Sequence, residues 1–241
     1  MKKRTFLITG ATQGIGKATA LNLANGDSQI AVTYARNKTK AEEVVSQLEG
    51  KGAKAIALQL NLHNQKEVNN IFYKIQEILG KVDVLISNAF GKSIFKPLHL
   101  IEDEEYEETF STVKGTFLLL QNAAEHLADH GTILVTSSGA TAMPVPAGGL
   151  YAAAKSAIEQ FALSLSKELG ERDINVNVIL PGVTNTESLV APKEIIDQLI
   201  AQTPLGRLGR PDDVANAMAR LTSPENKWIN MQKIGINGGI L

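Results

Sequence analysis

The sequence predicts an α/β fold built on one doubly wound parallel sheet with helices on both faces. Short β-rich runs alternate with longer helical runs along the chain. Several β-rich runs are apolar on both faces, as strands of a parallel sheet covered from both sides should be. Such alternation implies right-handed crossovers that place helices on either face. We find no internal repeat and no Pro/Ser-rich linker, so residues 1–241 are expected to form a single domain.

Six runs rich in Val, Ile, Leu and Thr are predicted as strands. They are Thr5–Thr9, Ile30–Tyr34, Ala55–Leu60, Val82–Ser87, Thr132–Thr136 and Ile174–Leu180. Longer runs between them are predicted as helices: Gly16–Ala24, Lys38–Lys51, Gln65–Leu79, Val113–Ala128 and Tyr151–Leu169. Irregular segments 90–97 and 181–203 interrupt the alternation after two strands. Because ligands bind at the carboxyl ends of strands in such sheets, we expect residues 183–203 to be a candidate substrate lid.

Composition and charge argue against several classes of function. Lys plus Arg number 24 and Asp plus Glu 25, so the formal net charge of −1 gives no reason to expect nucleic acid or an anionic membrane as a partner. The absence of cysteine excludes disulfides and thiolate chemistry. No apolar run approaches the ~20 residues of a membrane-spanning helix, and the apolar run after Met1–Arg4 is too short for a signal peptide. We expect a cytosolic protein without a bound metal.

A glycine-rich turn joins the first strand to the first helix. Gly10 permits a tight turn, Gly14 lets the backbone approach a pyrophosphate closely, and Gly16 lets helix and strand pack tightly. The helix N-terminus that follows presents free N–H groups and the positive end of its dipole. The turn therefore predicts a dinucleotide site whose contact residues are Gly10, Thr12, Gln13, Gly14, Ile15 and Gly16.

The end of the second strand favours NADP(H) over NAD(H). An NAD-selective site usually places an acidic residue ~20 residues after the glycines, where it accepts from the ribose 2′-OH. No acidic residue follows Tyr34 until Glu42. Arg36 stands in this position instead, and the planar fork of an arginine suits a 2′-phosphate.

Tyr151 and Lys155 are four residues apart and share one face of a predicted helix. We expect the Lys155 ammonium to depress the pKa of the Tyr151 phenol from its ordinary ~10. Such a phenol can act as general acid in carbonyl reduction and as general base in the reverse reaction. Ser138, just past the fifth strand, could bond the substrate carbonyl and stabilise the developing oxyanion.

The glycine turn, the YxxxK pair and the Ser thirteen positions before Tyr151 resemble the short-chain dehydrogenase/reductase family, over essentially the whole chain. The resemblance implies a Rossmann-type fold and assigns Ser138, Tyr151 and Lys155 as the catalytic residues. It also implies that Tyr151 and Lys155 lie at the nicotinamide ribose. Further cofactor contacts are implied at Asn61, Leu62, Asn88, Ala89, Pro181, Gly182, Val183 and Thr186.

Three positions depart from the family pattern. Asn61 stands at a position where the family usually has Asp. Phe90 replaces the Gly of the family's Asn-Asn-Ala-Gly motif. Thr112 stands where the family often has an Asn that helps hold a water in the proton path to the lysine. Thr112 could bond a water, but with different geometry.

Within the family, segment 204–215 and the closing Gly238-Gly239 most resemble 3-oxoacyl-[acyl-carrier-protein] reductases. The resemblance implies NADPH-dependent reduction of a 3-oxoacyl thioester or a related small ketone. Acyl carrier protein is a possible partner, since Arg172 stands at a typical docking position, although Asp129 and its neighbours replace a second basic element. Family members are commonly dimers or tetramers, and the alanines 152–154 and 157 would permit close helix packing across subunits.

Three alternatives stay open. The chain could be another ketone reductase or alcohol dehydrogenase of the same family. It could be an enoyl-thioester reductase, although the tyrosine that those enzymes place seven positions before the lysine would fall at Gly148. Phe90 and Thr112 leave room for a dinucleotide-binding regulatory protein with little catalysis.

Overall fold

The computed structural model describes residues 3–241, so Met1 and Lys2 of the basic start lie outside the described residues. Its strands, in chain order, are β1 (Arg4–Ile8), β2 (Ser28–Tyr34), β3 (Lys54–Gln59), β4 (Val84–Ser87), β5 (Thr132–Thr136), β6 (Asn175–Pro181) and β7 (Lys233–Ile236). They form one seven-stranded sheet in the order β3-β2-β1-β4-β5-β6-β7. Every neighbouring pair is parallel. The predicted α/β fold class is confirmed.

The α-helices are α1 (Gly14–Leu23), α2 (Lys38–Gly50), α3 (Gln65–Leu79), α4 (Asp103–His126), α5 (Gly149–Glu168), α6 (Lys193–Gln202) and α7 (Pro211–Leu221). The first five correspond to predicted helices, but α4 begins at Asp103 rather than at Val113. The reason is a local start signal. The side chain of Glu105 accepts from the Glu102 backbone amide in a capping box. The Lys96 ammonium donates to the carboxylates of Glu102 and Glu105, each at 3.0 Å.

Three elements were missed by the sequence reasoning. Strand β7 carries Gly235 in a four-residue run and lies at the sheet edge with alternating exposed positions. Helix α7 has visible start signals, with Pro211 in its first turn followed by two acidic residues. Helix α6 has no fully buried residue, so the segment 181–203 was wrongly expected to be irregular throughout.

Two apolar layers cover the two faces of the sheet. Helices α3, α4 and α5 pack on one face, and α1, α2 and α7 on the other. Alternate strand residues face opposite layers: in β1, Leu7 belongs to the first layer and Ile8 to the second. Each fully buried Leu or Ile contributes ~1.5–3 kcal/mol relative to exposure, so burial on both faces stabilises the central strands in particular.

The chain reverses its direction of winding between β1 and β4, the two central neighbours in the sheet. A crevice opens outside the carboxyl ends of the strands at such a switch point. The glycine turn after β1 and the loop after β4 both leave the sheet there. No helix within residues 3–241 is long and apolar enough to cross a membrane. The cytosolic location stays a prediction from the sequence.

The approach of α4 to the end of β3 generates a stability prediction at Gly115. A Cβ at Gly115 would overlap the backbone carbonyl of Leu62 and lie 2.8 Å from the Leu62 Cβ, whereas a Cβ at Gly50 would meet nothing within 4 Å. We expect Gly115→Ala to lower the free energy of unfolding by about 1–3 kcal/mol through overpacking. Gly50→Ala should leave it unchanged or raise it by up to ~1 kcal/mol. Urea denaturation of both variants measures this, and equal effects would contradict the close approach.

Candidate active site

The glycine turn is held in place by the loop that follows β4. The Thr9 hydroxyl accepts hydrogen bonds from the backbone amides of Asn88 at 3.0 Å and Ala89 at 2.9 Å. The Asn88 amide group donates back to the carbonyls of Thr9 and Gly10. Gly10 has φ of +65°, and a Cβ there would lie 2.9 Å from the Ala89 Cα. A Cβ at Gly16 would overlap the Gly10 carbonyl, so the shape of the turn depends on both glycines.

The N-terminus of α1 fits the pyrophosphate of a dinucleotide. The first amides of a helix have no intrahelical acceptor, and the first turn of α1 contains no acidic residue. Its N-cap, Gln13, makes no side-chain capping bond. A cavity of about 540 Å³ opens here between Gly14, Lys17 and Thr186. The structure thus brings together two of the predicted cofactor residues, Gly14 and Thr186, that are distant in sequence.

The surface after β2 is cationic and fits a 2′-phosphate. Arg36 is exposed, and the first turn of α2 contains Lys38 and Lys40 but no acidic residue. Asn37 caps α2 by accepting from the Lys40 amide at 2.9 Å. The nearest carboxylate along the helix, Glu42, pairs with Lys38 at 3.4 Å and leaves the Arg36 guanidinium available.

The remaining predicted cofactor residues lie at the carboxyl ends of β3 and β6. The side-chain oxygen of Asn61 accepts from the backbone amide of His63 at 3.1 Å. The backbone amide of Asn61 donates to the Glu67 carboxylate at 2.7 Å. The Val183 carbonyl accepts from the Gly209 amide at 2.9 Å. Of the other predicted cofactor residues, Thr12 lies in the turn after β1 and Ile15 in the first turn of α1, Leu62 follows β3, Pro181 ends β6 and Gly182 follows it.

The three predicted catalytic side chains come together at this edge. Ser138 lies two residues beyond β5, and Tyr151 and Lys155 lie on successive turns of α5. The side chains of Ser138 and Ser93 both lie close enough to the Tyr151 phenol to lower its pKa. Ser138 Oγ also accepts from the Ala140 amide at 3.2 Å. Ser93 was missed because its position depends on the course of the loop after β4, which no sequence signal revealed.

Two phenylalanine rings enclose the Tyr151 phenol. The ring centre of Phe90 lies 5.5 Å from that of Tyr151 in an edge contact, and the ring centre of Phe95 lies 5.3 Å away. Burial raises the pKa of Tyr151 above its ordinary value, and the hydrogen bonds of Ser138 and Ser93 act in the opposite direction with less effect. The lowering of this pKa expected from Lys155 is wrong for this structure, because burial of the phenol dominates and Lys155 is not among the groups that shift the Tyr151 pKa.

Lys155 is a buried cation with 4% of its surface exposed. Its Nζ donates to the Thr136 carbonyl at 2.9 Å and lies 4.2 Å from the centre of the Phe90 ring, a cation–π contact. Phe90, which stands at a family glycine position, therefore covers Lys155 as well as Tyr151. Burial lowers the pKa of Lys155 to about 7, while the charge of Glu159 raises it.

Thr112 is paired with a histidine that the sequence analysis did not single out. Thr112 is 1% exposed, and its Oγ1 lies 2.9 Å from Nε2 of His63. A Cβ at Gly91 would lie 2.7 Å from the same hydroxyl, so the loop after Phe90 packs directly over it. This contact uses part of the hydrogen-bonding capacity of the Thr112 hydroxyl, and a water bonded to Thr112 would share that hydroxyl with His63.

Other expectations change in the structure. Thr184 pairs with Gly209 in an isolated parallel bridge, so the candidate lid 183–203 is anchored at its start and helical in α6.

Arg172 is not free for docking: it donates to Asp129 at 2.7 Å, to the Leu127 carbonyl at 2.5 Å and to the Ala124 carbonyl. Within residues 3–241, no group of three or more His, Asp or Glu side chains could hold a metal ion.

Sequence comparisons match the chain over nearly its whole length. A family model described as enoyl-(acyl carrier protein) reductase matches residues 10–241. The chain is 35% identical over 252 residues to a hydroxynaphthalene reductase-like protein of Metarhizium brunneum, with 98% of this chain and 94% of that protein covered. The match therefore includes both the glycine turn and the Tyr151–Lys155 pair.

Solved structures share the fold at comparable identity. A short chain dehydrogenase from Burkholderia cenocepacia in complex with NADP is 32% identical with a TM-score of 0.92, covering 99% of this chain and 97% of that one. An angucycline C-6 ketoreductase with bound NADP is 30% identical with a TM-score of 0.92, covering 99% and 95%. Similarity in sequence and in fold thus extends over the same residues.

The buried lysine generates a prediction for stability against pH. The pKa of Lys155 is about 7 in the folded chain against an ordinary 10.5. Between these two pKa values Lys155 is protonated in the unfolded chain and neutral in the folded chain, so the free energy of unfolding rises with pH. The stability due to neutral Lys155 is fully present above the unfolded pKa and is lost as pH falls towards 7. From about pH 7 to about pH 9, the free energy of unfolding of the natural chain should rise by about 2 kcal/mol relative to that of Lys155→Met.

Urea denaturation at several pH values measures this difference. The matched control is Lys74→Met, which removes an exposed lysine of α3 and should leave the pH dependence unchanged. A difference between the natural chain and Lys155→Met that stays flat over this range would contradict the desolvation of Lys155.

Proposed function

The chain belongs to the short-chain dehydrogenase/reductase family, and we propose that it reduces the ketone of a 3-oxoacyl thioester with NADPH. It is an oxidoreductase that acts on CH–OH or ketone groups and uses NADP(H). The observation that carries the proposal is the meeting of Ser138, Tyr151 and Lys155 beside the glycine turn.

The cofactor fits the residues described above. When bound, NADPH supplies the hydride that the carbonyl carbon accepts. The amides at the start of α1 would bind the pyrophosphate, and Arg36 the 2′-phosphate. Asn88 and Ala89 shape the turn, and the resemblance places Lys155 and Tyr151 at the nicotinamide ribose. Thr186 lies next to Gly14, with its Cγ2 3.3 Å from the place of a Cβ at Gly14, and both residues line the same cavity, so Thr186 would contact the cofactor beside the glycine turn.

Tyr151 is the proposed general acid. Its raised pKa keeps the phenol protonated near neutral pH, so that the proton is available when the carbonyl oxygen gains charge. Ser138 would donate to the same oxygen and stabilise the developing charge. The charged form of Lys155 would stabilise the tyrosinate that remains after proton transfer. Ser93, which lies near the same phenol and lowers its pKa, would hold its orientation.

The mouth of the site is apolar. Phe95 is 56% exposed while touching Tyr151, and Leu98, Met143 and Val145 are exposed hydrophobics. A Cβ at Gly148 would lie 3.2 Å from that of Val145 and 3.5 Å from the Phe95 ring, so segment 143–148 faces the Phe95 loop. This surface supports an acyl chain. Because the Arg172 guanidinium is bonded to Asp129 and to the Leu127 and Ala124 carbonyls, we propose a thioester that does not depend on docking of an acyl carrier protein.

A second candidate substrate is a fused-ring aromatic ketone. The exposed face of Phe95, beside the proposed proton donor, offers a stacking surface for a planar ring system. Two of the similar proteins are named for such chemistry, a hydroxynaphthalene reductase-like protein and an angucycline ketoreductase. An enoyl-thioester reductase receives less support, because Gly148 at the N-cap of α5 offers no phenol.

We also propose that the chain assembles as a dimer or tetramer through α4 and α5. Phe117 of α4 is an exposed aromatic whose ring centre lies 5.1 Å from that of Phe161 of α5. Ala153 is exposed beside them, while Ala154 is buried in the protein's own core. Small and aromatic side chains on one exposed face suit close packing of a second copy.

Arg36 should determine the choice between NADPH and NADH. Replacing its guanidinium with a carboxylate removes a charge-assisted phosphate contact and introduces repulsion. We expect Arg36→Asp to weaken NADPH binding at least ~30-fold, on the basis of about 2 kcal/mol for such a contact, while NADH binding improves or is unchanged. Titration of nicotinamide fluorescence measures both affinities. Lys74→Asp makes the same charge change on α3 as a control, and an unchanged preference in Arg36→Asp would rule out the proposed role.

Consumption of NADPH with acetoacetyl thioester tests the proposed function. We expect turnover with NADPH, little with NADH, and a loss of at least ~100-fold in kcat in Tyr151→Phe, because the general acid is removed. NADPH affinity of that variant should stay nearly unchanged.

Parallel assays with a bicyclic aromatic ketone and with a crotonyl thioester separate the alternatives. Faster turnover of the aromatic ketone would favour the second candidate, and reduction of the crotonyl double bond would favour an enoyl-thioester reductase. Tight NADPH binding without turnover of any of these ketones or thioesters would favour a dinucleotide-binding regulatory protein.

A further inference from the structure

We infer that Glu159, a carboxylate buried one helical turn beyond Lys155, is a positioning residue that keeps Lys155 in its charged form for the reductase reaction. The inference rests on the proposed function for its consequence in catalysis. Its electrostatic part, the coupling between Glu159 and Lys155, follows from two buried ionisable side chains placed four residues apart on one face of α5.

Glu159 is held inside the fold by contacts from two strands. It is 1% exposed. Its Oε1 accepts from the Ser137 hydroxyl at 2.5 Å, just beyond the end of β5. Its Oε2 lies 2.6 Å from Nζ of Lys233 in β7, an ion pair without the direction of a hydrogen bond. Ser137 and Lys233 therefore fix the carboxylate on the side of α5 that faces the sheet.

The groups around Lys155 come from three elements. On its own helix α5 lie Tyr151 and Glu159. From β5, the Thr136 carbonyl accepts from Nζ, and from the loop after β4 the Phe90 ring covers it. Of these groups, only Glu159 brings a full negative charge, because Tyr151 is a neutral phenol at neutral pH. Lys233, behind Glu159, brings a second positive charge.

This arrangement has a clear electrostatic consequence. Burial removes the ammonium from water and favours the neutral amine, whereas a carboxylate in the same low-dielectric environment favours the ammonium. The charge of Glu159 opposes the effect of burial on Lys155. Lys233 acts in the other direction, since it neutralises part of the Glu159 charge, but it is 47% exposed and its effect is screened by water.

A purely structural role would not require a carboxylate at this position. A buried ion pair contributes little net stability compared with apolar residues of similar volume, and the neighbours of Glu159 on the same face of α5 are Ile158, Ala162 and other core residues. The free-energy cost of burying the Glu159 carboxylate is offset by the stabilisation that its charge gives to the Lys155 ammonium one turn away.

The test measures the ionisation of Lys155 directly. In protein with ¹³C-labelled lysine, the Cε signal of Lys155 is assigned by its absence in Lys155→Met and followed against pH. We expect Glu159→Gln to increase the acid ionisation constant of Lys155 about tenfold, so that Lys155 loses its proton at lower pH. Lys233→Met should decrease the same constant by about two- to threefold, because it frees the Glu159 charge.

The opposite signs of the two variants distinguish an electrostatic role from a structural one. Loss of packing would lower the thermal stability of Glu159→Gln without moving the Lys155 titration, and that result would overturn the inference. If Glu159→Gln does not fold, Lys233→Met and Glu159→Asp decide the question, since Lys233 is half-exposed and Asp keeps the charge. Because Asp keeps the charge, Glu159→Asp should leave Lys155 ionisation close to that of the natural chain, and unchanged ionisation in Lys233→Met would then overturn the inference.

The catalytic consequence is read from the pH dependence of kcat/KM. In Glu159→Gln the alkaline limb should move to lower pH by about one unit, in parallel with the Lys155 signal, and Glu159→Asp should restore most of it. A shifted Lys155 signal with an unmoved alkaline limb would overturn the catalytic part. Absence of turnover in the natural chain would count against the proposed function, whereas the titration of Lys155 would still decide the coupling.

Discussion

The burial of one ammonium group organises the candidate active site. Lys155 lies on the sheet-facing side of α5, where the Thr136 carbonyl and the Phe90 ring replace the water that an ammonium usually holds. A cation removed from water requires either hydrogen-bonding and charged partners or a lowered pKa. Lys155 has such partners, and its pKa is also lowered. The loop after β4, the end of β5 and the inner face of α5 are all positioned around this requirement.

The departures from the family pattern lie close together in space. Phe90 fills the space of a glycine and covers Lys155 and Tyr151, and the next residue, Gly91, packs over Thr112. The Thr112 hydroxyl in turn lies 2.9 Å from Nε2 of His63. The family resemblance implies an asparagine and a water in this region. In this chain, aromatic rings and side-chain contacts occupy it instead. The departures from the family pattern therefore form one cluster beside the predicted Ser138–Tyr151–Lys155 set.

Most of the fold could be read from the sequence because its central strands are buried on both faces. Double burial produces continuous apolar runs, such as 82–87 and 174–180, that are recognisable without tertiary information. The missed elements lie at the periphery, where exposure weakens the pattern: β7 is an edge strand with a glycine, and α6 has no fully buried residue.

The sequence by itself determined the elements whose chemistry is local: the glycine turn, the cationic end of β2 around Arg36, and the i, i+4 spacing of Tyr151 and Lys155. Only the tertiary structure decided the electrostatic environment of those groups. Ser93, Phe90 and Lys233 reach the site from the loop after β4 and from β7, far from α5 in sequence. Desolvation and charge coupling depend on what surrounds a group in space, so the direction of the Tyr151 pKa and the proposed part of Glu159 became visible only in the folded chain.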